Sequence, residues 1–275
     1  MILLKKIFGA IVLTSVLILN CAAKNLEAFI ALDTLSAFSP DGDGINDKLV
    51  ISLNYTGGSS TPQSWLVKII DQRGFVVKKF SAENTKIPKR IIWDGSTDSG
   101  EEIYSLNDYS IHLVIVPKEK DIKKTGQQEL YVIKYFKSGI LLETIEQNKN
   151  WSFYVNSLMF SGESKELSSI EEQSLDNDYI LEVIAAKLNE KENSAVTIIC
   201  YENNTKDTVQ NNIEKVLPLS QQRAETVLEA LVQKGVARER LSATGRGGAN
   251  PLSNPKDEDT NWKNSRIEFH IEAFE

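Results

Sequence analysis

Few side chains in this chain of 275 residues are of types that do chemistry, and their spacing favours binding over catalysis. The two histidines, His112 and His270, each fall in an alternating, strand-like run with no catalytic motif around them, so no hydrolase constellation is apparent. Arg223 lies one turn into an amphipathic helical stretch, where the helix N-terminus already favours anions. A guanidinium there offers a planar fork of donors suited to a carboxylate. Asp41, Asp43 and Asp47 have part of a calcium-loop spacing, but Ile45 and Ser52 occupy the fifth and twelfth positions, where oxygen ligands are needed. A tight turn shaped by Asp and Gly explains them better, and no metal or cofactor is expected. Gly245-Arg246-Gly247-Gly248 reads as a strand-end turn, since no helix of the kind a dinucleotide fingerprint requires follows it.

The elements that must position these groups begin behind a targeting segment. Lys5 and Lys6 precede an apolar run, Ile7 to Leu19, which is short for a bilayer span and ends at Cys21. Leu17-Ile18-Leu19-Asn20-Cys21 resembles a lipobox, with Asn20 where the strict pattern has Gly or Ala, a departure that spirochaete lipoproteins tolerate. Residues 1–21 then form a lipoprotein signal peptide with lipidation at Cys21, and two acyl chains give stable membrane anchoring. Ordinary cleavage after Ala23 also fits. With Cys21 acylated, Cys200 is left alone, a small buried hydrophobe in an alternating segment. The net charge of −7 argues against nucleic acid, which needs a concentrated basic face.

After a tether at 22–36, a first domain is expected over 37–128. Leu49, Ile51 and Leu53 alternate with polar residues, and Trp65 to Ile70 and Phe75 to Phe80 flank Asp71-Gln72-Arg73-Gly74 as a hairpin. Tyr109 to Val116 is the last strong strand, and such short strands between turns indicate an antiparallel sandwich. Ser39-Pro40-Asp41-Gly42-Asp43-Gly44, Trp93-Asp94-Gly95 and Ser99-Gly100 complete a pattern that resembles the immunoglobulin-like domain of FlgD-type proteins. That resemblance implies a spacer or protein-docking role.

A polar, basic stretch from Pro117 to Gln128 marks the expected boundary, with a second domain over 129–275. Strands are expected at Trp151 to Phe160 and Ala195 to Tyr201, with a helix at Ser174 to Leu188 between them. Another helix, capped by Ser220, buries Ala224, Val227, Leu228 and Leu231 and stops at Gly235. Ile267, Phe269 and Ile271 are the inward residues of a final strand. Leu219-Ser220-Gln221-Gln222-Arg223-Ala224, Arg240-Leu241-Ser242-Ala243-Thr244-Gly245 and Asn264-Ser265-Arg266, in this order, resemble the OmpA-like peptidoglycan-binding domain, an α/β sandwich.

The resemblance implies a ligand, the zwitterionic end of a diamino acid in the peptidoglycan stem peptide, and places its site at Arg223, Asn203, Thr205, Asn264 and Arg266. The family's Thr-Asp falls on Glu202-Asn203, its Asn before the Leu-Ser on Val216, and the first Arg of its Asn-Arg-Arg on Ser265. An amide at 203 carries no charge for an ammonium, which costs about 1–3 kcal/mol of binding, and Glu202 or Asp207 could supply the missing carboxylate. The expectation is therefore a non-enzymatic lipoprotein, anchored in the outer membrane and facing the periplasm, that tethers the envelope to the wall. The alternative is an interaction lipoprotein whose C-terminal domain has lost wall binding and whose sandwich docks a protein partner.

Overall fold

The computed structural model describes residues 25–33, 38–100, 103–145 and 150–274. Cys21, the expected signal segment and part of the expected tether lie outside them.

Among the described residues, seven strands build the first body: β1 (Glu27–Leu32), β2 (Leu49–Thr56), β3 (Ser64–Asp71), β4 (Val76–Glu83), β5 (Arg90–Trp93), β6 (Asp108–Val116) and, after helix α1 (Glu119–Thr125), β7 (Leu130–Lys137). They form two antiparallel sheets, ordered β1-β2-β5 and β4-β3-β6-β7. Period-2 alternation sends Val67, Ile69, Ile111, Leu113 and Ile115 inward, all fully buried, against Leu49, Ile51 and Trp93 of the facing sheet.

Both expected boundaries shift. The stretch read as a tether contributes β1, because Leu26 and Ile30 are buried in the sandwich core. The basic stretch after Pro117 is no domain boundary: it carries α1 and connects β6 to β7, whose Leu130, Val132 and Phe136 extend the same core.

The second body opens with β8 (Glu143–Ile145) and β9 (Asn150–Val155), followed by α2 (Glu171–Asn189) and β10 (Ser194–Tyr201). A continuous helical stretch then runs through α3 (Val209–Asn211), a π turn at Asn212–Val216 and α4 (Leu217–Gln233), before β11 (Leu241–Gly247) and β12 (Arg266–Ala273). The sheet order is β11-β10-β12-β9-β8, with β10 and β11 parallel across the α4 crossover. Ile184, Leu188, Ala224, Val227 and Leu231 of α2 and α4 pack on Val196, Ile198, Phe269 and Ile271 of the sheet. No helix among the described residues is long and apolar enough to cross a membrane.

Two local features set the position of α4. Gly235 ends it at φ +91°, as its sequence position suggested. Ser220 is not its cap: the helix starts earlier, and the buried Ser220 hydroxyl donates to Leu217 O (2.8 Å) and accepts from Gly247 N (2.8 Å). This bond seats α4 on the end of β11, where a Cβ on Gly245 would come within 2.2 Å of Gln221 N. Glycine at 245 therefore permits the close approach of helix and strand.

The two bodies meet at one end of the sandwich. Arg73, in the β3–β4 turn, lies 3.6 Å from the Trp262 ring centroid, and Tyr104 meets that ring edge-on at 5.1 Å. Leu142 N donates to Asp41 (2.9 Å) and Asn107 to Asn156 (2.8 Å) across the same seam. At the other end, past the nine residues of β6, Gln127 holds both backbone groups of Leu26. The chain thus comes in at the pole far from the second body, about 30 Å from the seam along β6.

Candidate functional site

Arg223 is the centre of the candidate site, and it is buried at 8% exposure. Its Nη1 donates to Glu202 Oε1 at 2.7 Å, Nε to Ser164 O at 2.9 Å and Nη2 to Gly162 O at 2.6 Å. The Phe160 ring lies 4.4 Å from the guanidinium carbon. The group is enclosed by one carboxylate, two backbone carbonyls and a π-face, and is not an open fork at a helix mouth.

Strand geometry explains why Glu202, and not Asn203, is the partner. Successive residues leaving β10 point to opposite sides of the sheet. Glu202 falls on the helix side with Cys200, whose Sγ is 3.8 Å from Glu202 Oε1. Burial pushes the Cys200 thiol well above its ordinary range, and the neighbouring Glu202 charge adds to this. The Glu202 backbone N–H is fixed by Gly247 O (2.9 Å), and its second oxygen accepts from the Ser265 hydroxyl at 3.4 Å.

Asn203 turns away into a separate amide network. Its Nδ2 donates to Pro255 O (3.1 Å), its Oδ1 accepts from Asn264 Nδ2 (2.9 Å), and its backbone N–H donates to Ser265 Oγ (3.1 Å). Asn264 also braces Ser253 through the Ser253 backbone N–H and carbonyl. Thr205 is exposed on the following loop, and Asp207 faces Lys256 at 3.6 Å, so neither is at the guanidinium. Arg266 stands on the opposite face of the sheet from Arg223, 3.9 Å from the Tyr201 ring, paired with Glu268 at 2.8 Å and with Asn250 O at 3.3 Å. Its Nη1 is buried with no hydrogen-bond partner among the described residues.

Of the five positions implied by resemblance, the structure joins Asn203 and Asn264 by a hydrogen bond, brings Arg223 and Arg266 to the walls of one small cavity from opposite faces of the sheet, and leaves Thr205 exposed on the loop. Ser265 is the residue that joins the two networks, touching Glu202 and Asn203 at once. A cavity of about 40 Å³ lies between them, lined by Asn156, Phe160, Glu202, Arg223, Ser265 and Arg266 among others. That is room for about one water. Alternation along β10 carried the signal for Glu202. The Gly162 and Ser164 carbonyls are backbone groups, which no side-chain motif reports.

The three acids at the start of the first body do converge, with ligand atoms within 4.8 Å of one another. Each already braces backbone: Asp47 accepts from Gly42 and Gly44, Asp43 from Ile45, and Asp41 from Asp43 and Leu142.

Residues 159–265 match the OmpA family, so this segment is an OmpA-family domain. Over 95 residues, covering 34% of this chain, it is 37% identical to the peptidoglycan-binding protein ArfA of Mycobacterium tuberculosis and of Mycobacterium bovis. The match spans 28% of the length of those relatives. Among solved structures, the periplasmic domain of Helicobacter pylori MotB is 22% identical, with 50% of this chain and 81% of that one covered at a TM-score of 0.40. The cell wall anchor of the Pseudomonas aeruginosa T6SS is 20% identical, with 49% and 88% covered at 0.38.

Proposed function

We propose that this protein binds peptidoglycan non-covalently through its C-terminal domain and tethers the cell envelope to the wall, as a binding protein and not an enzyme. The observation that carries the reading is the Arg223–Glu202 pair inside the OmpA-family segment. The sequence similarity to proteins named for peptidoglycan binding supports it. A guanidinium beside a carboxylate is matched to a ligand bearing both an acid and an ammonium.

The rest of the chain fits a tether in series. Acylation at Cys21 would fix the N-terminus in the outer membrane, facing the periplasm, four residues before the first described residue. The sandwich, which we assign as immunoglobulin-like from its seven strands in two antiparallel sheets, would then stand between the membrane and the wall-binding domain. Co-sedimentation with purified sacculi tests the binding. The wild type should pellet with them and Arg223→Lys should be lost to the supernatant; equal retention of both would remove Arg223 from the site.

A second reading is favoured by one feature: Nε, Nη1 and Nη2 of Arg223 already have acceptors within the chain. In that reading the arginine is a structural brace, wall binding has been lost, and the sandwich docks a protein partner. Failure of the wild type to sediment with sacculi would select it.

A further inference from the structure

The acceptors around Arg223 differ in how firmly they are held. Gly162 and Ser164 belong to the tip of a hairpin closed by the Phe160–Leu167 bridge. Its base is stapled by Asn177 of α2, which bonds both backbone groups of Met159. The tip is polar and exposed but for the half-buried Ser164, and among the described residues its hydrogen bonds to α4 are the two that Arg223 donates to its carbonyls. A groove of about 710 Å³ runs between the hairpin and α4, past Lys165, Glu166, Gln222 and Thr226. The small cavity over Glu202 is lined by Arg223 and by Phe160 at the base of the hairpin. Glu202 itself is not part of the hairpin. Its backbone is fixed to β11 and its carboxylate to Ser265, so lifting the tip leaves it in place.

Neutral carbonyls are weaker acceptors for a guanidinium than a carboxylate, which engages two N–H groups in parallel. The Asn203 amide cannot receive an ammonium without breaking its bonds to Pro255 and Asn264. We propose that the Phe160–Leu167 hairpin is a lid whose carbonyls hold the place of a ligand carboxylate on Arg223, and that Glu202, steadied by Ser265, receives the ligand's ammonium. The inference rests on the wall-binding reading and deepens it: the ligand enters by exchange with the lid.

Calorimetric titration of the full chain with three soluble stem tetrapeptides tests this. One carries meso-diaminopimelate, one the same residue with its distal amine acetylated, and one L-lysine, which has no distal carboxylate. In a shortened-lid variant, Asn-Gly replaces Ser161–Glu166. The diaminopimelate peptide should bind the shortened-lid variant ~10-fold or more tighter than the wild type, and the lysine peptide should bind both ~10-fold or more weaker. Glu202→Gln should weaken the diaminopimelate peptide about 10- to 100-fold without weakening the acetylated one.

Equal affinity of wild type and shortened lid overturns the lid. Equal binding of the lysine peptide overturns the carboxylate exchange, and a matching loss for both diaminopimelate peptides overturns the role of Glu202. If no peptide binds either protein, the wall-binding reading falls with the proposal. Hydrogen exchange on the wild type gives a second readout should the shortened variant misfold. Amides 161–166 should lose protection when the diaminopimelate peptide is added, and unchanged or greater protection refutes lid opening.

Discussion

Replacing Arg223 by Met keeps the bulk of the side chain and removes every donor, which isolates what the guanidinium does for the fold. The two side chains of the pair are 10% and 11% exposed, so solvent screens the interaction little. Removing one partner of such a buried pair leaves an uncompensated charge and costs about 3–5 kcal/mol. Here Glu202 would keep the long bonds from Ser265 and the Cys200 thiol, and the Gly162 and Ser164 carbonyls would lose the Arg223 donors. Glu202→Gln is milder, about 1–3 kcal/mol, because an amide oxygen can still accept from Arg223. The double variant should be less destabilised than the sum of the singles, since no buried charge is then stranded, with an interaction energy of about 1–3 kcal/mol. Scanning calorimetry of the four proteins should place Arg223→Met roughly 6–20 °C below wild type for the C-terminal transition. A cost under about 1 kcal/mol, or strict additivity, is the behaviour of exposed ion pairs and would refute the enclosure on which the lid argument depends.

The Arg266–Glu268–His270 row on the open face of the sheet predicts a pH signature. Burial alone would raise the Glu268 carboxyl, but the hydrogen bond from His270 and the Arg266 charge outweigh it and lower the value. The Glu268 bond raises His270 against its partial burial. The histidine contribution to stability is complete below its ordinary value of 6.5 and fades as pH rises through the higher folded value. The Glu268 contribution is complete above 4.5 and fades as pH falls through the lower folded value. The melting difference between wild type and His270→Gln should therefore be largest between those two values and shrink at alkaline pH; a flat difference would sink the assignment. At the seam, Trp262→Ala removes the surface that Arg73 covers, a contact of about 1–2 kcal/mol. The two bodies should then unfold in more widely separated calorimetric steps, and an unchanged endotherm would show that Trp262 does not couple them.

Legibility in the sequence followed periodicity. The strands at 65–70, 109–116 and 195–201 and the helix before Gly235 were readable because alternation or a 3.6-residue stripe runs through them without interruption. The boundaries at 36 and 128 were misplaced for one shared reason: polarity marks a connection but does not say whether the chain leaves the domain. The basic connector holding α1 returns to the same sheet through β7, and β1 is amphipathic enough to resemble a tether. At the candidate site, the motif singles out Arg223, while the aligned position of its partner falls on Asn203 and leaves Glu202 and Asp207 as alternative carboxylates. Carrying the β10 alternation two residues further, from Cys200 to Glu202, decides between them. The enclosure by Gly162 and Ser164 was not legible, because a main-chain acceptor can be contributed by any sequence.

The enclosure also bears on how a tether of this kind would hold. In the proposed exchange Arg223 gives up two carbonyl bonds of 2.6 and 2.9 Å before a ligand carboxylate gains them, so the net change in hydrogen bonding is small. Glu202 likewise trades part of its attraction to Arg223 for the ligand's ammonium. Intrinsic affinity for a single stem peptide should accordingly be modest, and the groove along α4 is where additional contact could be made. Modest single-site affinity suits a membrane-anchored protein facing a continuous polymer. Anchoring keeps the local concentration of wall epitopes high, and many copies acting in parallel hold more strongly than any one site. In the proposed tether the Arg73–Trp262 seam matters, because contacts between the two bodies would keep the binding face within reach of the wall. A flexible linker of equal length would dilute that advantage by letting the domain sample orientations from which Arg223 faces no ligand.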